Sequence, residues 1–167
     1  MAFDHMISAV LGDITTMSTQ AIVNSANSSL LAGGGVCGAI HRAAGPELEA
    51  ACKQIGRIDP GQAVLTEAFD LPAEYVIHAV APRYLGGNRG ESEVLTETYR
   101  SICGLVKQYG IKKLSIPSIG TGIYRFPLDL AAEIAVTTLK SCLPLTCEAA
   151  FVCFDDATYK AYADLEA

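Results

Sequence analysis

The sequence predicts an α/β protein in which helices layer a central sheet. Short apolar runs rich in β-branched residues alternate with segments of helical period. Gly, Pro, Asp or Asn bounds the apolar runs, and no linker, repeat or low-complexity tract breaks the alternation.

In chain order, strands are predicted over residues 7–11, 21–24, 63–67, 75–80, 114–117 and 149–154. The first helix is predicted over 35–44, ended by Gly45. The next covers 46–55, with Pro46 in its first turn and Gly56 just past its end. Two longer helices follow, over 93–109 stopped by Gly110, and over 128–142 between Pro127 and Pro144. A final helix is expected near 157–165, after the last strand.

The chain has 167 residues, half of them hydrophobic, enough for one core and one domain over residues 1–167. It lacks the roughly 18-residue apolar stretch a membrane span needs. The start MAFDHMISAVLGD has no basic leader followed by an apolar segment, so a soluble, cytoplasmic protein with no membrane partner is expected. With 18 acidic against 12 basic residues and a formal charge of −6, direct nucleic-acid binding is disfavoured, because neutralising phosphates needs clustered Lys and Arg. An anionic ligand must be held locally, as loop amides and helix N-termini can do. The six cysteines, Cys37, Cys52, Cys103, Cys142, Cys147 and Cys153, form no CxxC pair, which points to reduced thiols, with neither a disulfide framework nor a metal site.

The most informative stretch runs from Asn24 through Asn27 and the triplet Gly33-Gly34-Gly35 to Val36, Cys37, Gly38 and His41, a strand leading through a glycine loop into a helix. Glycines let backbone amides approach a phosphate, and the helix adds the favourable end of its dipole. The pattern is neither GxGxxG nor GxxxxGK[ST], and a merely flexible loop is the competing reading. A second loop, Ser118-Ile119-Gly120-Thr121-Gly122-Ile123-Tyr124-Arg125-Phe126-Pro127, also joins an apolar strand to a helix. Two such loops at neighbouring strand ends form two lips of one crevice, an arrangement suited to a diphosphate.

Four ordered motifs carry a resemblance: Gly12-Asp13-Ile14-Thr15, Ala21-Ile22-Val23-Asn24-Ser25-Ala26-Asn27, Gly33-Gly34-Gly35-Val36, and Gly38-Ala39-Ile40-His41-Arg42-Ala43-Ala44-Gly45. Together with Val76-Ile77-His78 and the Gly120-Thr121-Gly122 loop, they resemble a macro domain, closest to the MacroD-type branch, over nearly the whole chain. The resemblance implies a three-layer α/β/α sandwich with a central mixed sheet and an ADP-ribose cleft at its crest. It implies ADP-ribose or an ADP-ribosylated protein as partner, no cofactor and a monomer. The implied activity is hydrolysis of mono-ADP-ribosyl esters on proteins or of O-acetyl-ADP-ribose. The alternative is a reader module that binds without turnover.

Each implied role has a chemical reason and a rival. Asp13 would accept from the adenine amine, or else bond its own turn. Ile14 would offer its amide beside adenine, or simply fill the core. Phe154 would stack on adenine, or pack inside at a strand end. Gly34, Gly35 and Val36 on one lip, and Ser118, Gly120, Thr121, Gly122 and Ile123 on the other, would surround the diphosphate. Tyr124 or Phe126 would pack against the distal ribose, or anchor the loop. Asn27 would bond the distal ribose hydroxyls and share the catalytic role, while Asn24 would buttress the loop; turn stabilisation competes for both.

The chain departs from the MacroD-type pattern at Cys37, where an aspartate usually sits, and at Arg125, where the loop often has a small residue. Cys37 has three readings. It is a thiolate base or nucleophile aided by His41 one helical turn on, a zinc ligand together with His41, or a small side chain filling the helix start while His41 hydrogen-bonds locally. Arg125 either stands near the diphosphate or distal ribose or points to water.

Overall fold

A computed structural model describes residues 6–165. The strands are β1 (Ile7–Leu11), β2 (Ala21–Ala26), β3 (Ala63–Glu67), β4 (Tyr75–Val80), β5 (Lys113–Ile116) and β6 (Glu148–Cys153). The helices are α1 (Gly35–Ala44), α2 (Pro46–Ile55), α3 (Glu91–Tyr109), α4 (Leu128–Cys142) and α5 (Asp156–Ala163), with a single 3-10 turn at Ile14–Thr16. One six-stranded sheet runs in the order β1-β6-β5-β2-β4-β3. Every pairing is parallel except the antiparallel β3–β4 edge, so the sheet is mixed.

Alternation along the strands sends side chains to two separate cores. Val23, Ile77, Leu114 and Phe151 face α3, α4 and α5 through Tyr99, Ala135 and Tyr162. Ile22, Val76, Val80 and Val152 face α1 and α2 through Ile40, Leu48 and Cys52. This is the three-layer α/β/α sandwich: successive side chains point to opposite faces, both faces are covered, and the central strands β2, β4 and β5 are buried over nearly their whole length. No helix among the described residues is long and apolar enough to cross a membrane.

Element ends shift by one or two residues from expectation, each for a local reason. Strand β5 stops at Ile116 because Pro117 carries no N–H for the ladder. Helix α3 begins at Glu91, whose carboxylate accepts from the backbone N–H of Leu85 (2.8 Å), Gly87 (3.0 Å) and Arg89 (2.7 Å). Burial alone would raise that carboxyl, but these amides and its own outweigh burial and hold it down at about 2. Helix α5 starts at Asp156 because Asp155 caps it, accepting from Thr158 N at 2.8 Å. Its far end, expected to reach residue 165, closes at Ala163.

Because β1, β6, β5, β2 and β4 run parallel, their carboxyl ends emerge along one edge. The segments that leave them there, in spatial order, hold Asp13, Phe154, the Ser118 loop, Asn27 and the 82–90 loop. From β1 to β2 is three strand spacings, about 14 Å.

Candidate functional site

The two glycine-rich loops face each other across one cavity of about 270 Å³. Residues 25–27 and 33–37 line one side, and Ser118, Gly120 and residues 122–124 the other. Gly34 caps the N-terminus of α1, so the first amides of that helix point into the space and its dipole favours an anion there. Gly35 has φ +57°, a left-handed conformation that glycine adopts without a Cβ penalty.

The second lip is held from behind. Ser118 Oγ lies 2.8 Å from Thr121 Oγ1 and 3.0 Å from the Tyr162 hydroxyl. Phe126 is buried and donates its N–H to Gly120 O at 2.9 Å, with its ring 4.9 Å from that of Tyr84. Tyr84 N donates to Tyr124 O at 2.8 Å, and the Arg83 guanidinium stands 5.7 Å above the Tyr124 ring. Phe126 is therefore the loop's anchor, while Tyr124 lines the cavity. Arg125 is exposed, with φ +62°, a left-handed conformation uncommon for a residue with a Cβ, and it does not line the cavity.

At the other end of the edge, Gly12 N donates to Cys153 O at 3.0 Å, which brings Asp13 and Phe154 out of the sheet on adjacent strands. Phe154 is 86% exposed, because β6 ends one residue before it; the buried-core reading of this ring is excluded. Asp13 is exposed, and its Oδ1 accepts from Thr15 N (2.9 Å) and Thr15 Oγ1 (2.7 Å). The side-chain bond from Thr15, reinforced by the backbone bond, lowers its carboxyl below the ordinary value. The turn-residue reading of Asp13 thus holds for one oxygen. Ile14 is buried in the core beneath α1 and α2. Truncating the bare Phe154 ring to alanine is expected to weaken binding of an adenine nucleotide about tenfold with no change in melting temperature. An equal affinity for both proteins in calorimetry would remove the ring from the site.

At the β2 end, the Asn27 amide is engaged within its own loop. Its Nδ2 donates to Leu31 O at 2.9 Å, and its Oδ1 accepts from Ser29 Oγ (2.7 Å) and Leu31 N (3.3 Å). Asn24 is fully buried and stands opposite His78 in the β2–β4 register. Its Nδ2 lies 3.1 Å from His78 Nδ1 and 3.8 Å from Cys37 Sγ, the buttress expected of it.

Cys37 reaches the cavity, but the expected partnership with His41 does not form. The thiol donates to Leu31 O at 3.5 Å, whereas both ring nitrogens of the buried His41 lack any hydrogen-bond partner. The expected local hydrogen bond of His41 is therefore absent too. The helix turns His41 toward the sheet, where its ring sits 6.5 Å from that of His78. Burial lowers its pKa, opposed by Glu49. Thr121 likewise supports the lip without lining the cavity. Among the described residues no three His, Cys, Asp or Glu side chains are grouped to hold a metal.

His78 carried the one strong signal not used for chemistry, a lone polar residue inside the apolar run of β4. Burial, and secondarily His41, push it down to about 3 from an ordinary 6.5. The unfolded chain takes up this proton near pH 6.5, and the folded chain refuses it until about pH 3. Stability must therefore fall as pH drops through that window, by at most about 1.4 kcal/mol per unit for one group. Urea midpoints measured from pH 7 to pH 4 are expected to fall less steeply in His78→Gln than in the unaltered protein; parallel slopes would contradict the assignment.

A layered α/β fold with two facing glycine-rich lips at its parallel strand ends defines a domain that cradles phosphates. A family model described as macro domain matches residues 23–135, and the chain belongs to the macro domain family. An O-acetyl-ADP-ribose deacetylase of Enterobacter cloacae is 49% identical over 166 residues, covering 95% of this chain and 92% of its own. A solved Oceanobacillus iheyensis macrodomain with ADP matches with a TM-score of 0.90 at 38% identity, over 96% of this chain and 90% of that one. A Trypanosoma brucei macrodomain in complex with ADP-ribose matches with a TM-score of 0.89 at 35% identity, over 95% of this chain and 68% of that one.

Proposed function

We propose that the chain binds ADP-ribose along the carboxyl edge of its sheet and hydrolyses mono-ADP-ribosyl esters on proteins or O-acetyl-ADP-ribose. The observation that carries this reading is the pair of glycine-rich lips enclosing a single cavity; the deacetylase name of a relative 49% identical supports it. Adenine lies on Phe154 with its amine toward Asp13 and an edge toward the Ile14 amide. The diphosphate lies among the amides of Gly34, Gly35 and Val36 and those of the 118–123 loop. The distal ribose lies near Asn27 and Tyr124. The protein works as a monomer in the cytoplasm, and the chemistry calls for no cofactor.

No carboxylate lines the cavity among the described residues, so no side chain there can act as an acidic-group base. Hydrolysis on this reading uses a water held and polarised by the bound diphosphate, close to the distal ribose, with the amides fixing the ligand in the required pose. The same absence favours a second reading, a reader that holds ADP-ribose without turning it over.

Incubation with a protein mono-ADP-ribosylated on glutamate separates the two. Release above a buffer blank is the expected result for the hydrolase; none at high protein concentration, with ADP-ribose binding intact in calorimetry, leaves the reader. Cys37→Asp, which returns a carboxylate to the cavity, is expected to raise turnover above that of the natural chain. Failure of millimolar ADP-ribose to give heat or a thermal shift would reject both.

A further inference from the structure

Three apolar side chains stand in solvent around the end of the cavity assigned to the distal ribose. Leu31 is exposed, as are Leu85 (58%) and Ile123 (90%). Apolar residues scattered singly over a surface need no explanation, but a group of them at the mouth of a ligand cleft marks an interaction surface. These three stand on the segments leaving β2, β4 and β5, which are neighbours in the sheet. Each is tied to the cavity wall. Ile123 lines it, Leu31 N donates to Asn27 Oδ1, and Leu85 follows Tyr84, whose N–H goes to Tyr124 O.

Leu85 is held in place rather than carried on a loose loop. Its own N–H is one of the three that the buried Glu91 carboxylate accepts, and the ring of Tyr84 beside it packs on Phe126. Covering a side chain already fixed in this way costs little further ordering, so its burial goes mainly into affinity. Two guanidiniums complete the rim. Arg83 stands over the Tyr124 ring, and the exposed Arg125 follows Tyr124 in the chain. Among the described residues neither forms an ion pair. Glu91 turns its charge inward onto the loop amides, and Glu93 and Asp129, in the first turns of α3 and α4, pair with neither arginine.

We infer that Leu31, Leu85 and Ile123, flanked by Arg83 and Arg125, form a docking surface for the polypeptide that carries ADP-ribose, a segment with apolar and acidic residues beside the modified side chain. The inference rests on the ADP-ribose reading above and narrows its substrates to ADP-ribosylated proteins. An acetyl group on the distal ribose is too small to cover three apolar side chains and brings no charge to the arginines. A polypeptide leaving the same ribose runs out across this rim, where its apolar residues cover the leucines and its carboxylates meet the unpaired guanidiniums.

Calorimetry with two ligands tests it. One is free ADP-ribose, and the other is a short peptide, with leucine and glutamate beside the modified position, that bears ADP-ribose through a hydrolysis-resistant linkage. The natural protein is expected to bind the peptide about tenfold more tightly than free ADP-ribose. Leu85→Ser is expected to lose about three- to tenfold in affinity for the peptide, the worth of a partly covered leucine, and nothing for free ADP-ribose. Its melting temperature should not change, because the side chain is exposed. Replacing the peptide's flanking glutamate by glutamine is expected to cost about two- to threefold. Equal affinity for peptide and free ADP-ribose, an advantage that survives Leu85→Ser, an equal loss for both ligands, or indifference to the flanking charge would each overturn the docking surface while leaving the cleft assignment standing. An ADP-ribose dimer that gains the same Leu85-dependent advantage would assign the rim to a nucleotide polymer and overturn it as well. A natural protein that does not bind free ADP-ribose would take the cleft assignment down first.

Discussion

Gly122→Asp is expected to weaken ADP-ribose binding by about a hundredfold or more while leaving the melting temperature within a degree or so of the natural protein. The two halves of this result come from different observations. Gly122 is exposed and lines the cavity, and a Cβ built on it meets nothing within 4 Å, so the fold has room for the new side chain. Where the diphosphate would lie, however, a carboxylate brings a negative charge to within a few ångströms of two others. Like charges at about 4 Å repel by roughly 4 kcal/mol at an effective dielectric near 20, and each 1.4 kcal/mol is about tenfold in affinity. Gly122→Asn, similar in size but neutral, should retain most of the affinity. If aspartate and asparagine behave alike, or if neither matters, the anion does not sit between these lips.

Gly38→Ala is expected to show the opposite pattern, a loss of stability. Gly38 lies in the first turn of α1, where a Cβ would stand 2.2 Å from the Gly33 carbonyl oxygen and 3.1 Å from the Arg42 guanidinium. The arginine is flexible and can move. The carbonyl belongs to the backbone of the first lip, so the loop must shift by about an ångström or the helix must tilt. Overpacking of this kind costs about 1–3 kcal/mol, which for a domain of this size lowers the melting temperature by roughly 3–10 °C. Because the displaced atoms are those of the lip, ADP-ribose affinity should fall with it. A variant as stable and as tight-binding as the natural protein would mean that the loop does not pack against this helix.

What the sequence made legible follows from which interactions are local. Helix ends were readable at Gly45, Gly56 and Gly110, because a residue of positive φ terminates the turn there. The alternation of apolar runs with helical segments made a sheet layered by helices readable, while its three-layer arrangement was what the family resemblance implied. The two lips were readable because glycine loops directly follow apolar strands. The neighbours of each strand were not: the pairing of β1 with β6 joins residues 7–11 to 149–153, and no periodicity encodes a partner so distant. For the same reason the side-chain bonds escaped notice. Phe154 could be assigned to water only once β6 was seen to end at Cys153, and the lack of partners for the His41 nitrogens showed only once α1 was placed against β2 with that ring beside His78. Asn24 and His78 meet only because β2 and β4 align them, 54 residues apart in sequence.

The pairing of the first strand with the last also governs when the protein becomes competent. During synthesis both glycine-rich lips, supplied by residues 33–37 and 118–124, emerge before the stretch that ends at Phe154. Strand β1 must wait as an unpartnered segment until β6 arrives, since β6 is its one neighbour in the sheet. The half of the cleft attributed to adenine is thus completed by the tail of the chain. A ribosome-bound fragment ending at α4 would carry both glycine-rich lips without the Asp13–Phe154 end of the edge, so on the proposed reading capture of the nucleobase waits for β6.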